Sequence, residues 1–162
     1  MAHNFYKEMG ENLGNSLVSD GEFNLQDKFK SGKIMLPTDM VIKGGDGMGV
    51  DTIDHVGTGD TIMDAGPRTL ELLKTKIHDS QFVLWNGPLG NYELGYKEGT
   101  LTLAKLLAEC DKEVIVGGAD TLASIKELGL FNKFSFVSTG GGAMIDFLGS
   151  GTLPGVEALK RV

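Results

Sequence analysis

The chain has 162 residues, 41% of them apolar, which is enough for one domain with its own core. A net charge of −7 argues against an extended nucleic-acid partner, which usually needs a basic stripe, although backbone N–H groups alone can hold a small phosphorylated ligand. Cys110 is the only cysteine, so no internal disulfide or cysteine zinc site is available; with no run apolar enough for a membrane span or signal peptide, a cytoplasmic protein is expected.

In chain order, Phe5, Met9, Leu13 and Leu17 recur every four residues and predict a helix over 3–18. Phe23, Leu25 and Phe29 predict a shorter helix ending at Gly32. Lys33-Ile34-Met35-Leu36-Pro37 reads as a strand, with Met40-Val41-Ile42 as its continuation or neighbour. Residues 44–60, rich in glycine and aspartate, read as an exposed loop or hairpin. Asp46, Asp51, Asp54 and Asp60 there lack the spacing of a calcium loop and read as solvated charge.

Thr61-Ile62-Met63-Asp64 is a short predicted strand, after which Pro67 opens a helix burying Leu70, Leu73 and Ile77. Phe82-Val83-Leu84-Trp85 reads as a strand buried on both faces that breaks into the turn Asn86-Gly87-Pro88-Leu89-Gly90. A helix over about 98–110 follows, burying Leu103, Leu106, Leu107 and Cys110. Glu113-Val114-Ile115-Val116 is a strand running into Gly117-Gly118, and a helix with Leu122, Ile125 and Leu128 stops at Gly129. Phe134-Ser135-Phe136-Val137 is the last strand, ending in Ser138-Thr139-Gly140-Gly141-Gly142 before a short helix through Met144, Ile145, Phe147 and Leu148.

The second half thus alternates strand and helix, each strand ending in a glycine-rich turn. That pattern predicts an α/β fold, a Rossmann-like parallel sheet with helices on both faces and its three turns on one edge. Such turns expose the unpaired N–H groups of helix starts, and two of them side by side suit a phosphate chain. Asp120 is either an N-cap or a carboxylate for the magnesium that accompanies a nucleotide. Glu93 can accept from ribose hydroxyls or stand as a first-turn helix residue. Neither a Walker motif nor a well-placed G-x-G-x-x-G occurs. His3, His55 and His78 have no ligand spacing and read as surface residues.

Taken together, Lys33-Ile34-Met35-Leu36-Pro37-Thr38-Asp39, Asp64-Ala65-Gly66-Pro67-Arg68-Thr69, Trp85-Asn86-Gly87-Pro88-Leu89-Gly90, Tyr92-Glu93, Gly117-Gly118-Ala119-Asp120-Thr121, Ser138-Thr139-Gly140-Gly141-Gly142-Ala143 and Leu153-Pro154-Gly155-Val156 resemble phosphoglycerate kinase, in the family's order and close to its spacing. The resemblance covers essentially the whole chain and implies that residues 1–162 are most of the C-terminal, nucleotide-binding domain of that two-domain family. The phosphoglycerate-binding domain and a phosphate-binding lysine segment have no counterpart here, which implies a fragment or a truncated gene product. The family moves phosphate between 1,3-bisphosphoglycerate and ADP, giving 3-phosphoglycerate and ATP.

By motif match, Met63, Asn86 and Pro88 would line the nucleotide and Glu93 would bind ribose. Gly118 and Thr121 would meet the phosphates, with Gly117 and Ala119 also among the nucleotide-binding residues, Asp120 would hold Mg2+ with ATP or ADP, and Gly140, Gly141 and Gly142 would sit where the phosphoryl group passes. The sequence departs from the family pattern at Ala119, Ile62 and Asn91, and has Phe136 in place of a histidine. The expectation is a nucleotide-binding chain, catalytically incompetent alone. It has no nucleic-acid or membrane partner, takes phosphoglycerates only with the missing domain, and self-associates through the surface that truncation leaves bare. The alternatives are a stand-alone nucleotide-binding module or partner subunit without catalysis, and a folded remnant with no ligand.

Overall fold

The structure is a computed structural model that describes residues 1–21 and 23–160. It divides into two compact units, Met1–Leu73 with Leu89–Gly99, and Lys74–Pro88 with Thr100–Val162. Among the described residues, no helix is long and apolar enough to cross a membrane.

The first unit opens with helix α1 (Ala2–Glu8), shorter than the four-residue spacing predicts. Gly10 takes φ +86°. Its N–H donates to the Lys7 carbonyl (3.1 Å) and the Glu11 N–H donates to that of Tyr6 (3.0 Å), a Schellman closure that ends the helix. Leu13 is still buried, but from a loop, whereas Met9 and Leu17 are exposed. Helix α2 (Gln26–Lys30) follows, ending just before Gly32 at φ +69°; Phe23 and Leu25 precede it instead of lying within it.

Residues 33–37 form no strand, contrary to the apolar run. Ile34 and Met35 are exposed, and Pro37 has no N–H to offer a ladder. Instead the Tyr6 hydroxyl donates to the Pro37 carbonyl, and Leu36 packs on the core. Strand β1 (Met40–Gly44) then pairs antiparallel with β2 (Gly47–Asp51), a hairpin that starts four residues ahead of the stretch 44–60 expected as an exposed loop or hairpin, and with β3 (Thr61–Ala65). Tyr6, Leu13, Met40, Ile42 and Val56 form the core against this sheet, with Ile62 packed beside them.

Helix α3 (Pro67–Asp79) begins at Pro67 as predicted. Its first turn is held from outside the helix, because the Arg68 and Thr69 N–H groups donate to the Asp39 carboxylate (3.0 and 2.7 Å). The Thr69 hydroxyl donates to the same carboxylate (2.8 Å). Asp39 is completely buried, and Gly66 leaves room for it: a Cβ there would lie 2.7 Å from Asp39 Oδ1. Burial pushes the Asp39 carboxyl up, but the bonds from Arg68 and Thr69, with the Arg68 charge, outweigh it and hold the group below its usual range.

The second unit carries a three-stranded parallel sheet in the order β4 (Phe82–Asn86), β5 (Glu113–Gly117), β6 (Phe136–Ser138), flanked by helices, as the alternation predicts. Helix α4 (Glu98–Glu109) buries Leu103 and Leu107, and helix α5 (Ala119–Glu127) buries Ile125. A second Schellman closure ends α5, with Gly129 at φ +68°. Strand β4 is not buried on both faces. As an outer strand of this sheet it leaves Phe82 exposed and buries only Trp85, while Val114 and Val116 of the central β5 are fully inside. Strand β6 starts two residues later than the apolar run; Ser135 meets β5 beforehand through its N–H to the Val114 carbonyl (3.0 Å).

Helix α6 (Gly141–Ser150) and helix α7 (Pro154–Leu159) complete the described chain. The last two residues of the tail over 153–162 lie outside the described residues. Phe136, Ile145, Phe147 and Leu148 all expose large apolar surface. His55 and His78 are exposed as expected, but His3 is half-buried with Nδ1 2.8 Å from the Leu17 carbonyl, and burial pushes its pKa down.

Candidate functional site

The predicted site residues fall in both units, and each group has its own geometry. In the second unit the three parallel strands end together, so the turns after β4, β5 and β6 meet at one edge, where open α/β sheets keep their ligands. Asn86, the last residue of β4, donates through Nδ2 to the Gly141 carbonyl (3.1 Å) at the start of α6. The Gly87 N–H donates to the Thr121 hydroxyl oxygen (2.9 Å) in the first turn of α5, and the Trp85 indole N–H donates to the Gly87 carbonyl (2.9 Å). The turn after β4 thereby ties down both neighbouring helix starts, through the Asn86 side chain and the Gly87 backbone.

Glycine is required where the turns touch. Gly118 sits at φ +94° and ψ 138°, and a Cβ on it would lie 3.1 Å from Asn86 Oδ1. A Cβ on Gly141 would lie 2.7 Å from the Gly118 Cα and closer still to its N. Gly142, by contrast, faces open space. The N-cap positions of α5 and α6 are Gly118 and Gly140, and neither helix has a side-chain cap. The first N–H groups of both helices therefore point out of the sheet edge with no capping oxygen of their own, a geometry that favours an anion.

Asp120 is not the N-cap; it lies one residue inside α5, half-buried in the first turn. Ala119, where the family pattern has glycine, is exposed, so its methyl has room. Thr121 is completely buried, with its hydroxyl turned to Gly87. Gly117 and Gly118 lie with Asn86 and Gly141 in one cluster; Pro88 is half-buried next to it in the chain. Among the described residues no group of three or more His, Cys, Asp or Glu stands ready to hold a metal alone.

In the first unit, Met63 is buried on β3 and its carbonyl accepts the Asn91 N–H (2.7 Å). Asn91 caps the one-turn 3-10 helix Tyr92–Leu94 by accepting the Leu94 N–H on its side chain (3.3 Å), which gives this departure from the family pattern a local structural task. Glu93 stands exposed on that turn. Sequence reasoning missed Asp64 here. Its carboxylate, 5% exposed, accepts the N–H groups of Ala65 (2.8 Å) and Gly99 (2.9 Å). Burial, with a smaller contribution from Glu98, pushes its carboxyl up against those two bonds. The signal was an aspartate at the head of the stretch Asp64-Ala65-Gly66-Pro67-Arg68-Thr69, with its partner 35 residues away.

The architecture and this edge define a class: an α/β protein with glycine-built helix starts converging at the carboxyl end of a parallel sheet. The family model for phosphoglycerate kinase matches residues 1–151, and the chain belongs to the phosphoglycerate kinase family. The phosphoglycerate kinase of Chlorobaculum tepidum is 37% identical over 99% of this chain and 44% of its own length. That of Solibacter usitatus is 38% identical over 99% of this chain and 43% of its own. The solved phosphoglycerate kinase structure from Coxiella burnetii superposes with a TM-score of 0.85 at 31% identity, covering 99% of this chain and 44% of that one. The chain thus spans less than half the length of the relatives it matches.

Proposed function

We propose that this chain is the nucleotide-binding part of a phosphoglycerate kinase, holding ADP or ATP with Mg2+ for phosphoryl exchange with 1,3-bisphosphoglycerate. The observation that carries this reading is the cluster of Asn86, Gly118 and Gly141, which aims two uncapped helix N-termini at one edge of the parallel sheet. Those N–H groups would take the phosphate oxygens, and Asp120 would add the carboxylate that holds magnesium beside them. Bound magnesium would offset phosphate charge as it accumulates. Asn86 and Pro88 would flank the nucleotide, and Glu93 would accept from the ribose. Thr121 would act indirectly, by holding the Gly87 turn. Gly140, Gly141 and Gly142 would let the moving phosphoryl group approach backbone donors without a side chain between them.

Asp120→Ala tests the metal role. ADP titrations with and without magnesium should show the magnesium-dependent gain in affinity reduced about tenfold or more, with metal-free ADP little changed. Equal Mg–ADP affinity in parent and variant would remove Asp120 from the site.

Phosphoryl transfer depends on positioning both reactants, and the 162 residues span 44% of the Chlorobaculum relative. Assayed alone, the chain is therefore expected to bind Mg–ADP without making ATP from 1,3-bisphosphoglycerate. Sustained ATP formation, followed by a coupled assay, would overturn that expectation.

A further inference from the structure

Residues 89–99 run from the turn after β4 to the first turn of α4 as a closed loop, and both of its ends rest on one carboxylate of β3, that of Asp64. At the near end, a Cβ on Gly90 would lie 2.6 Å from Asp64 Oδ1; at the far end, a Cβ on Gly99 would lie 3.0 Å from Asp64 Cγ. The Gly99 N–H donates to Oδ2 and the Ala65 N–H to Oδ1, so both oxygens are engaged. Within the loop, the Asn91 carbonyl accepts from Tyr96 (3.1 Å), the Asn91 N–H returns to Met63, and Gly95 turns the chain at φ +85°. Glu93 stands exposed in the middle of this frame, on the one-turn 3-10 helix Tyr92–Leu94.

We infer that Asp64 is the positioning residue of this loop: its buried carboxylate, clasped between Gly90 and Gly99, sets the frame in which Glu93 is presented to the ribose. The ribose link rests on the function proposed above; the loop link does not. A carboxylate suits the task because two N–H donors converge on it and both neighbours lack a Cβ. An amide has one acceptor oxygen and would turn its NH2 towards a donor.

Asp64→Asn tests both links. Amide hydrogen exchange over residues 90–99 should accelerate about tenfold or more, while β4, β5 and β6 keep the parent's protection. Parent-like exchange in the loop would overturn the inference. In Mg-dependent titrations the parent should prefer ADP to 2′-deoxy-ADP; Asp64→Asn should lose that preference together with Glu93→Gln, leaving pyrophosphate affinity unchanged. A loosened loop that retained the full ADP preference would sever Asp64 from Glu93. If the parent bound no nucleotide, the function proposed above would fail, and exchange would still decide the loop. Should Asp64→Asn not fold, Gly99→Ala drives a methyl against the intact carboxylate and against no other residue among its nearest neighbours, and should loosen the same segment; an unchanged segment there would also overturn the inference.

Discussion

Gly141→Ala is expected to destabilise the second unit by about 3 kcal/mol and to weaken Mg–ADP binding about thirtyfold or more. The added methyl meets the backbone of Gly118, 2.7 Å from its Cα, and a backbone cannot swing away as a side chain end can. Relief requires the start of α6 to retreat from the start of α5, which also breaks the Asn86 bond to the Gly141 carbonyl. Gly142→Ala is the matched control. Its methyl meets nothing, and alanine in a helix is about 1 kcal/mol better than glycine, so that variant should be as stable as the parent or slightly more so. Urea unfolding of the pair, and ADP calorimetry of Gly141→Ala against the parent, check both effects; equal stability of the two variants would mean that the two helix starts are not held together.

Asp39→Ala should cost about 4 kcal/mol, a fall in Tm of roughly 12 °C. Two donors, the Arg68 N–H and the Thr69 N–H, lose their acceptor where the Asp39 side chain is completely buried, while the Thr69 hydroxyl keeps the main-chain carbonyl of residue 39 (2.9 Å). The effect should also depend on pH. The folded Asp39 carboxyl titrates below its ordinary range, so its ionised form is favoured by folding. Its contribution is complete above the unfolded value of about 3.9 and fades as pH falls through the lower folded one. The gap in urea midpoint between parent and Asp39→Asn should accordingly narrow on acidification from pH 6 to 3; a gap that widens would show that the carboxylate is not held in its charged form.

Where local chemistry decides a feature, the sequence states it. The βα alternation, the start of α3 at Pro67 and the stops near Gly32 and Gly129 all follow from residues close in the chain. The helix over 3–18 misled because Phe5, Met9, Leu13 and Leu17 keep a helical period straight through Gly10, and a left-handed glycine outweighs a spacing. Residues 33–37 have strand composition, but whether a strand forms depends on a partner, which no local pattern specifies. At the sheet edge, the meeting of the three turns was legible, but the contacts that bind them were not. Asn86 finds Gly141 55 residues on, and Gly87 finds Thr121 34 residues on. Asp120 looked able to cap α5 because aspartates commonly cap helices; Gly118, in a backbone conformation other residues avoid, takes that position instead.

The first unit places aspartates where glycines leave space: Asp39 over Gly66, Asp64 over Gly90 and Gly99, and Asp60 over Gly44 and Gly57. Each pair behaves as one unit of information written at separated positions. In a saturation library, substitutions at 66 or 99 would be eliminated one at a time, yet be better tolerated in company with a smaller side chain in place of the aspartate opposite. Single-site profiles of this protein would then understate its freedom to vary, and recombination between distant homologues would fail most often when a crossover parts a glycine from its aspartate.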